Sequence, residues 1–177
     1  MILFSADQHY NHKNIIKYCK RPFKTVEEMN ETMIANHNSI VSKNDLIYYL
    51  GDFALGNDIN SCKKILERLN GRKMLIKGSH DKTVLQCSEY FEKISSLMEI
   101  NIDGIPITLC HYCMRVWSKS HYNSFMLYAH SHGTLNPIGK SEDVGVDNNN
   151  FYPVSWNKIK EIMKNRPDNF NYIKKRK

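Results

Sequence analysis

The sequence predicts an α/β protein organised as a single domain over residues 1–177. Short apolar runs at 2–6, 46–50 and 73–77 suit buried strands, and two segments of helical apolar spacing lie between them. After the third run the rhythm changes to closely spaced strand-like runs. The 177 residues suffice for one full-sized domain, and 41% apolar with 24% charged residues is ordinary globular composition.

Taken in order, Ile2-Leu3-Phe4-Ser5-Ala6 is the first run and gives way at once to polar Asp7-Gln8-His9. Over 26–41, Val26, Met29, Met33, Ile34, Ile40 and Val41 recur at helical spacing, and Thr25 with Glu28 forms a capping box. Leu46–Leu50 is the second strand and ends at Gly51-Asp52. A helix over 60–69 puts Cys62, Ile65, Leu66 and Leu69 on one face, and Asn70-Gly71 stops it. Lys73–Lys77 is the third strand and closes on Gly78-Ser79-His80-Asp81. Leu97–Ile102 and Ile105–Cys110 flank Asp103-Gly104, a tight-hairpin signal. Phe125–Ala129 and Val144–Val146 read as two more strands, and 155–165 as a last amphipathic helix capped by Ser155.

Carboxylates and imidazoles collect just past the predicted strand ends: Asp7 and His9, Asp52, His80 and Asp81, His111, then His130 and His132. In open α/β sheets that edge is where ligands bind. Aspartates mixed with imidazoles suit borderline divalent metals such as Mn, Fe, Zn, Ni or Co, and suit Mg or Ca less. Asp7, His9, Asp52, His111, His130 and His132 exceed what one tetrahedral ion can use. Two ions ~3.5–4 Å apart, sharing one carboxylate, would use them all, and Asp52 on the central run is placed for the bridge.

The blocks Asp7-Gln8-His9, Gly51-Asp52, Gly78-Ser79-His80-Asp81, His111 and Ala129-His130-Ser131-His132 occur in that order. They resemble the D-x-H, G-D, G-N-H-D/E, H and G-H-x-H signature of the calcineurin-like metallophosphoesterases. Residues 5–16, 48–56, 69–78, 110–117 and 144–156 are similar to the small bacterial and phage branch of that family. The resemblance implies a four-layer α/β-β/α sandwich with a dimetal site at the carboxyl ends of its strands. It implies one ion on Asp7, His9, Asp52 and His132, and a second on Asp52, Ser79, His111 and His130. Manganese is the first choice, with iron, zinc, nickel or cobalt as alternatives. The implied reaction is hydrolysis of phosphate mono- or diesters by a hydroxide held between the ions. His80 would contact the phosphate and protonate the leaving oxygen, with Asp81 fixing its tautomer.

Two positions depart from the signature. Ser79 stands where the family has asparagine, and a neutral hydroxyl is a poorer and shorter metal ligand than an amide oxygen. A weakened second site is expected, with a catalytically impaired binding scaffold as the alternative function. Ala129 replaces a glycine and affects only backbone room.

His12, Arg21 and Arg115 lie close in sequence to the signature blocks and are candidate substrate contacts, since an arginine there could grip a phosphate oxygen. Tyr10, Tyr112, Trp117 and Tyr122 are candidates for stacking on a base. A body this size has little room for a substrate cap, so an open cleft for nucleotides, cyclic nucleotides or nucleic-acid ends is expected. The five cysteines are odd in number and irregularly spaced, against a disulfide framework. Cys110-His111-Tyr112-Cys113 has C-x-x-C spacing but no second pair to complete a zinc site. The glycine-flanked stretch 51–56 lacks the Lys-Ser/Thr of a phosphate loop, which excludes an NTPase reading. No apolar run approaches the ~20 residues of a membrane span, and the first residues lack a basic signal region, so a cytoplasmic location without membrane contact is expected. The net charge is +7, of which +6 falls in residues 157–177, a basic tail from about 166. That tail offers a third reading, nucleic-acid binding with steep salt dependence.

Overall fold

The computed structural model describes residues 1–169. The chain runs β1 (Ile2–Ser5), α1 (Ile15–Tyr18), α2 (Val26–Ile40), β2 (Leu46–Tyr49), α3 (Ile59–Arg68), β3 (Arg72–Ile76), β4 (Lys93–Ser95), β5 (Leu97–Ile102), β6 (Ile105–Cys110), β7 (Phe125–Tyr128), β8 (Ser141–Asp143), β9 (Val154–Ser155) and α4 (Trp156–Met163). A first sheet has the order β4-β3-β2-β1-β9, parallel except for β9, and a second has the order β5-β6-β7-β8. Within the second, β5 and β6 form the antiparallel hairpin, while β7 and β8 add in parallel.

Strands of a parallel sheet are buried on both faces, which is why β1 and β2 read as unbroken apolar runs. Leu3, Ile47, Tyr49 and Leu75 point to one side and pack against α2 and α3 through Met29, Met33, Cys62 and Leu66. Phe4, Tyr48, Leu50 and Ile76 point to the other side and meet Met98, Ile107, Leu109, Phe125 and Leu127 of the second sheet. Trp156, Ile159 and Met163 of α4 join that inter-sheet core. The outer face of the second sheet is covered by the crossover 111–124, whose Trp117 packs on Cys110, Met126 and Tyr128.

Local chemistry sets the element ends. Thr25 Oγ1 accepts from Glu28 N at 3.1 Å, while the Glu28 carboxylate reaches back to Lys24 N at 2.7 Å, one residue beyond the expected box. Asp58 caps α3 by accepting from Ser61 N at 3.1 Å. At the hairpin, Asp103 and Gly104 take φ of 53° and 80°, the left-handed pair a two-residue turn requires.

The strand expected at 144–146 is instead β8, at Ser141–Asp143. Val144 and Val146 are buried, but the Asp143 carboxylate accepts from Gly145 N at 2.8 Å and turns the chain out of the sheet. Gly145 then pairs with Ala6 and links the second sheet to the end of β1. The apolar runs also did not indicate α1, 3₁₀ turns over Val84–Tyr90 that break at Cys87, β4, the 3₁₀ turn Val146–Asn148 and β9. At the start of the basic tail, Arg166 pairs with Glu142 at 2.5 Å, and the Asn169 side chain donates to the Arg115 carbonyl at 2.6 Å. Lys174, Lys175, Arg176 and Lys177, which carry most of the expected tail charge, lie outside the described residues. Among the described residues no helix is long and apolar enough to cross a membrane.

Candidate metal centre

Beyond the first sheet's strands the backbone ladder continues into the loops. Asp7 N donates to Gly51 O, His9 N to Asp52 O and Tyr10 N to Phe53 O at 2.9–3.0 Å, holding the loops after β1 and β2 side by side. Asp7, His9, Asp52, His130 and His132 all have positive φ, from 47° to 68°. Two glycines let these loops approach. A Cβ on Gly51 (φ 92°) would sit 2.5 Å from Gly78 N and 2.8 Å from His111 Nδ1, and one on Gly78 would sit 2.3 Å from Asp52 Oδ1.

Besides Cys19, His132 and Asp147, whose carboxylate is taken up by Arg21 and His132, two groups of ligand-type side chains result. Asp7, His9 and His132 form one, and Asp52, His111 and His130 the other; in each, one ligand atom per residue lies within 4.8 Å of the rest. Asp52 joins them, since its Oδ2 lies 3.7 Å from His9 Nε2 and 3.5 Å from His111 Nε2. The ring nitrogens are oriented from behind. His111 Nδ1 donates to Leu50 O at 2.7 Å, and His132 Nδ1 to Asp147 Oδ2 at 2.7 Å, which leaves each Nε2 lone pair free for a cation. His130 Nδ1 lies 3.2 Å from His111 Nε2.

Asp7 Oδ2 accepts from His130 N at 2.9 Å, but Asp7 Oδ1 and His9 Nε2 are buried without any hydrogen-bond partner. Buried polar atoms are rarely left unpaired, because each costs about 1–3 kcal/mol. Here the two orphans belong to the same ligand group, and a cation would satisfy both. Electrostatics agrees. Burial pushes the Asp7 carboxyl up to about 7 and pulls His9 down to about 3. Burial also works against Asp52, yet the adjacent His111 ring, the hydrogen bond from His80 N and the nearby His9 hold it well below the carboxylate range. The residues present therefore fit divalent metal ions.

Ser79 Oγ donates to Asp52 Oδ2 at 3.0 Å, and His80 N donates to Asp52 Oδ1 at 2.7 Å. The His80 ring is exposed in the cleft, its centroid 5.5 Å from His9. Asp81 does not serve that ring. Its two oxygens accept from Gly78 N (2.6 Å), Phe53 N (2.9 Å) and Asp52 N (3.2 Å), so it clamps the β3 loop to the β2 loop instead of fixing the His80 tautomer.

Of the three expected substrate contacts, His12 lines the cleft, its ring centroid 5.3 Å from His9. Arg21 does not. Its fully buried guanidinium donates to the carbonyls of Asp7 (2.7 Å) and Gln8 (2.8 Å) and grips both Asp147 oxygens at 2.7 and 2.8 Å. All its donors face inward, so it braces the D-x-H loop from behind. Arg115 is exposed on the crossover, away from the cleft lining. Tyr10 and Trp117 are core residues, the indole donating to Ser124 O at 3.2 Å, and neither can stack on a base. Asp147 was missed as the support of His132, and Asp143 as the support of the 130–133 turn, where it accepts from Ser131 Oγ at 2.6 Å and Gly133 N at 3.0 Å. The sequence signals were their place in or beside the 144–156 block and, for Asp147, its position just past the strand expected at 144–146.

Fold and site together define an α/β two-sheet protein whose strand ends assemble a candidate metal centre. No established family profile matches the chain. It belongs to the same family as the uncharacterized protein MJ1445 of Methanocaldococcus jannaschii, with 35% identity over 170 residues, 92% of this chain and 90% of that protein. The crystal structure of the Aquifex aeolicus protein of unknown function AQ665 is similar at a TM-score of 0.72 and 28% identity, over 92% of this chain and 98% of that one. The gene 66 protein of Mycobacterium phage L5 is 35% identical over 81 residues, 44% of this chain and 38% of that protein.

Proposed function

We propose that this protein is a metal-dependent phosphoesterase that hydrolyses phosphate mono- or diesters at a pair of divalent ions, manganese first among them. The observation that carries the reading is the convergence of two Asp/His groups on a shared Asp52, with Asp7 Oδ1 and His9 Nε2 left for a cation. Asp7, His9, Asp52 and His132 would hold one ion, and Asp52, His111 and His130 the other. Ions held there supply an activated water and neutralise charge on the phosphoryl oxygens.

The chain's own residues divide the remaining work. His80, exposed beside the shared carboxylate, is placed to protonate the leaving oxygen. His12, on the same wall of the cleft, is placed to donate to a non-bridging oxygen. Arg21 and Asp147 fix the loop and ring behind the first group. Among the described residues no lysine or arginine lines the cleft, which supports a singly charged diester over a doubly charged monoester. Ser79 favours the second reading, an impaired binding protein, because its hydroxyl faces Asp52 and its side chain is short.

The test is hydrolysis of bis-p-nitrophenyl phosphate with Mn²⁺, with and without chelator, by the protein and by Asp52→Asn. Turnover that chelator abolishes, and that the substitution lowers at least ~100-fold, is expected, because Asp52 serves both ligand groups. No turnover of this diester or of the monoester, with no manganese retained on dialysis, would leave the binding protein.

A further inference from the structure

We infer that the cleft takes a nucleic-acid diester, with one base stacked on Tyr18 and the next on Tyr112, and reads no base identity. The inference rests on the phosphoesterase reading and deepens it. Tyr18, at the end of α1, lines the cleft with 71% of its surface exposed. Its ring stands edge-on to His12 at 6.1 Å and 78°, and His12 in turn lies against His9 of the first ligand group. Tyr112 follows His111 and is 50% exposed, with its centroid 4.9 Å from both His111 and His130 of the second group, at 76° and 68°. Each tyrosine is thus pinned against a different end of the row of imidazoles. Each side chain keeps half or more of its surface open to a ligand, and a single exposed aromatic would need no explanation. Two of them, bracketing a candidate phosphoryl centre, do.

The cleft, which Tyr18 lines and which Tyr112 borders through His130 without lining it, fits the same occupant. The cleft encloses about 680 Å³, far more than a phosphate group needs and within the ~300–1,000 Å³ of small-ligand sites. Ile15 and Leu55 add apolar surface. Among the described residues, no Asn, Gln, Lys or Arg lines it. Amide and guanidinium groups are what read base edges, and cations are what track a long backbone. Without them, recognition falls to stacking, which every base permits. A phosphodiester with a flat ring on each side is the repeating unit of a single-stranded nucleic acid.

The experiment uses thymidylyl-thymidine, its two singly abasic counterparts, and its neutral methylphosphonate analogue, which cannot be hydrolysed in the same way and owes nothing to the ions. Kinetics are measured with Mn²⁺ and analogue binding by calorimetry in chelator, for the protein, Tyr18→Leu and Tyr112→Leu. Each substitution should raise KM, and the analogue Kd, at least about fivefold, the low end of base–aromatic stacking, with kcat within about twofold. Each should be silent toward the substrate already abasic on its side, and the homodinucleotides of all four bases should agree within about threefold. Unchanged KM and Kd in both variants, while bis-p-nitrophenyl phosphate is still cleaved, overturn the base-binding inference alone. Loss of analogue binding in the variants of a protein that cleaves no ester keeps the base-binding sites and removes the phosphoesterase.

Discussion

Replacing Asp147 with asparagine separates two roles that the same carboxylate plays. Its Oδ1 accepts from Arg21 Nε at 2.7 Å, and its Oδ2 from Arg21 Nη2 at 2.8 Å and His132 Nδ1 at 2.7 Å. Burial alone would raise this carboxyl, but His132 and Arg21 hold it below its usual range. The Arg21 side chain is wholly buried, so neutralising its partner leaves an uncompensated charge, a loss of about 3–5 kcal/mol in such sites. Arg21 keeps its bonds to the Asp7 and Gln8 carbonyls, which puts Asp147→Asn at the low end, about 3 kcal/mol. Asparagine has one carbonyl oxygen, and it cannot serve Arg21 and His132 as two carboxylate oxygens do. If the oxygen turns to Arg21, the amide N–H₂ faces His132 Nδ1 and drives the ring's proton to Nε2, where the lone pair for a cation is needed. Losing such a support weakens metal binding by roughly 10–100-fold. Urea denaturation in chelator reads the first effect, and manganese competition against a chelating dye reads the second. A stability loss with unchanged manganese affinity would show that Asp147 braces Arg21 only, and no change in either would refute the network.

Ser79→Asn should strengthen the Asp52–His111–His130 group, because the amide oxygen reaches further than the hydroxyl and is a better ligand. Equilibrium dialysis should then show a second manganese bound at lower concentration, and an unchanged isotherm would mean that residue 79 does not face the ion. His37→Gln tests a linkage far from the cleft. Burial, against the pull of the Asn70 carbonyl, takes His37 from 6.5 down to about 4, so the unfolded chain takes up its proton first as the pH falls. Stability from the neutral ring is present above about 6.5 and is lost toward pH 4 at up to about 1.4 kcal/mol per unit. The substitution should flatten that acid limb in urea denaturation at pH 7, 6 and 5, and an equally steep limb in the variant would remove His37 as its source.

How far the fold could be read ahead depended on burial. β1, β2 and β3 are covered on both faces, so their apolar runs are continuous and their ends are marked by the polar residues that follow. β4 and β9 are edge strands of three and two residues, too short for any periodicity, and β9 rests on two register pairs with β1. Val144–Val146 misled for a related reason, since those valines face two different cores while the chain crosses between sheets. The ligand residues were legible because each comes soon after an apolar run. Asp147 was not, although the strand expected at 144–146 ends just before it: it sits in the 3₁₀ turn Val146–Asn148 that follows β8, outside the five signature blocks. Arg21 was misassigned because proximity to Asp7-Gln8-His9 does not say which side of the loop an arginine approaches. Asp81 was misassigned by adjacency, since neighbouring side chains in an extended or turning chain point apart and seldom meet.

The spacing of the two x-separated pairs has its own physical content. Asp7 and His9 have φ of 56° and 51°, and His130 and His132 have φ of 68° and 47°, with Gln8 and Ser131 between them. Left-handed backbone strains most side chains, and aspartate and histidine are among the few that tolerate it. The same two residue types are ligands for borderline metals. The intervening residue is tied down separately: the Gln8 amide donates to Ser5 Oγ at 2.6 Å, and Ser131 Oγ to Asp143. Aspartate and histidine in D-x-H and H-x-H thus meet a backbone requirement and a coordination requirement at once. The strain is retained with Asp7 Oδ1 and His9 Nε2 unpaired beside it, a combination that folding alone would not favour and that a cation between the loops would offset.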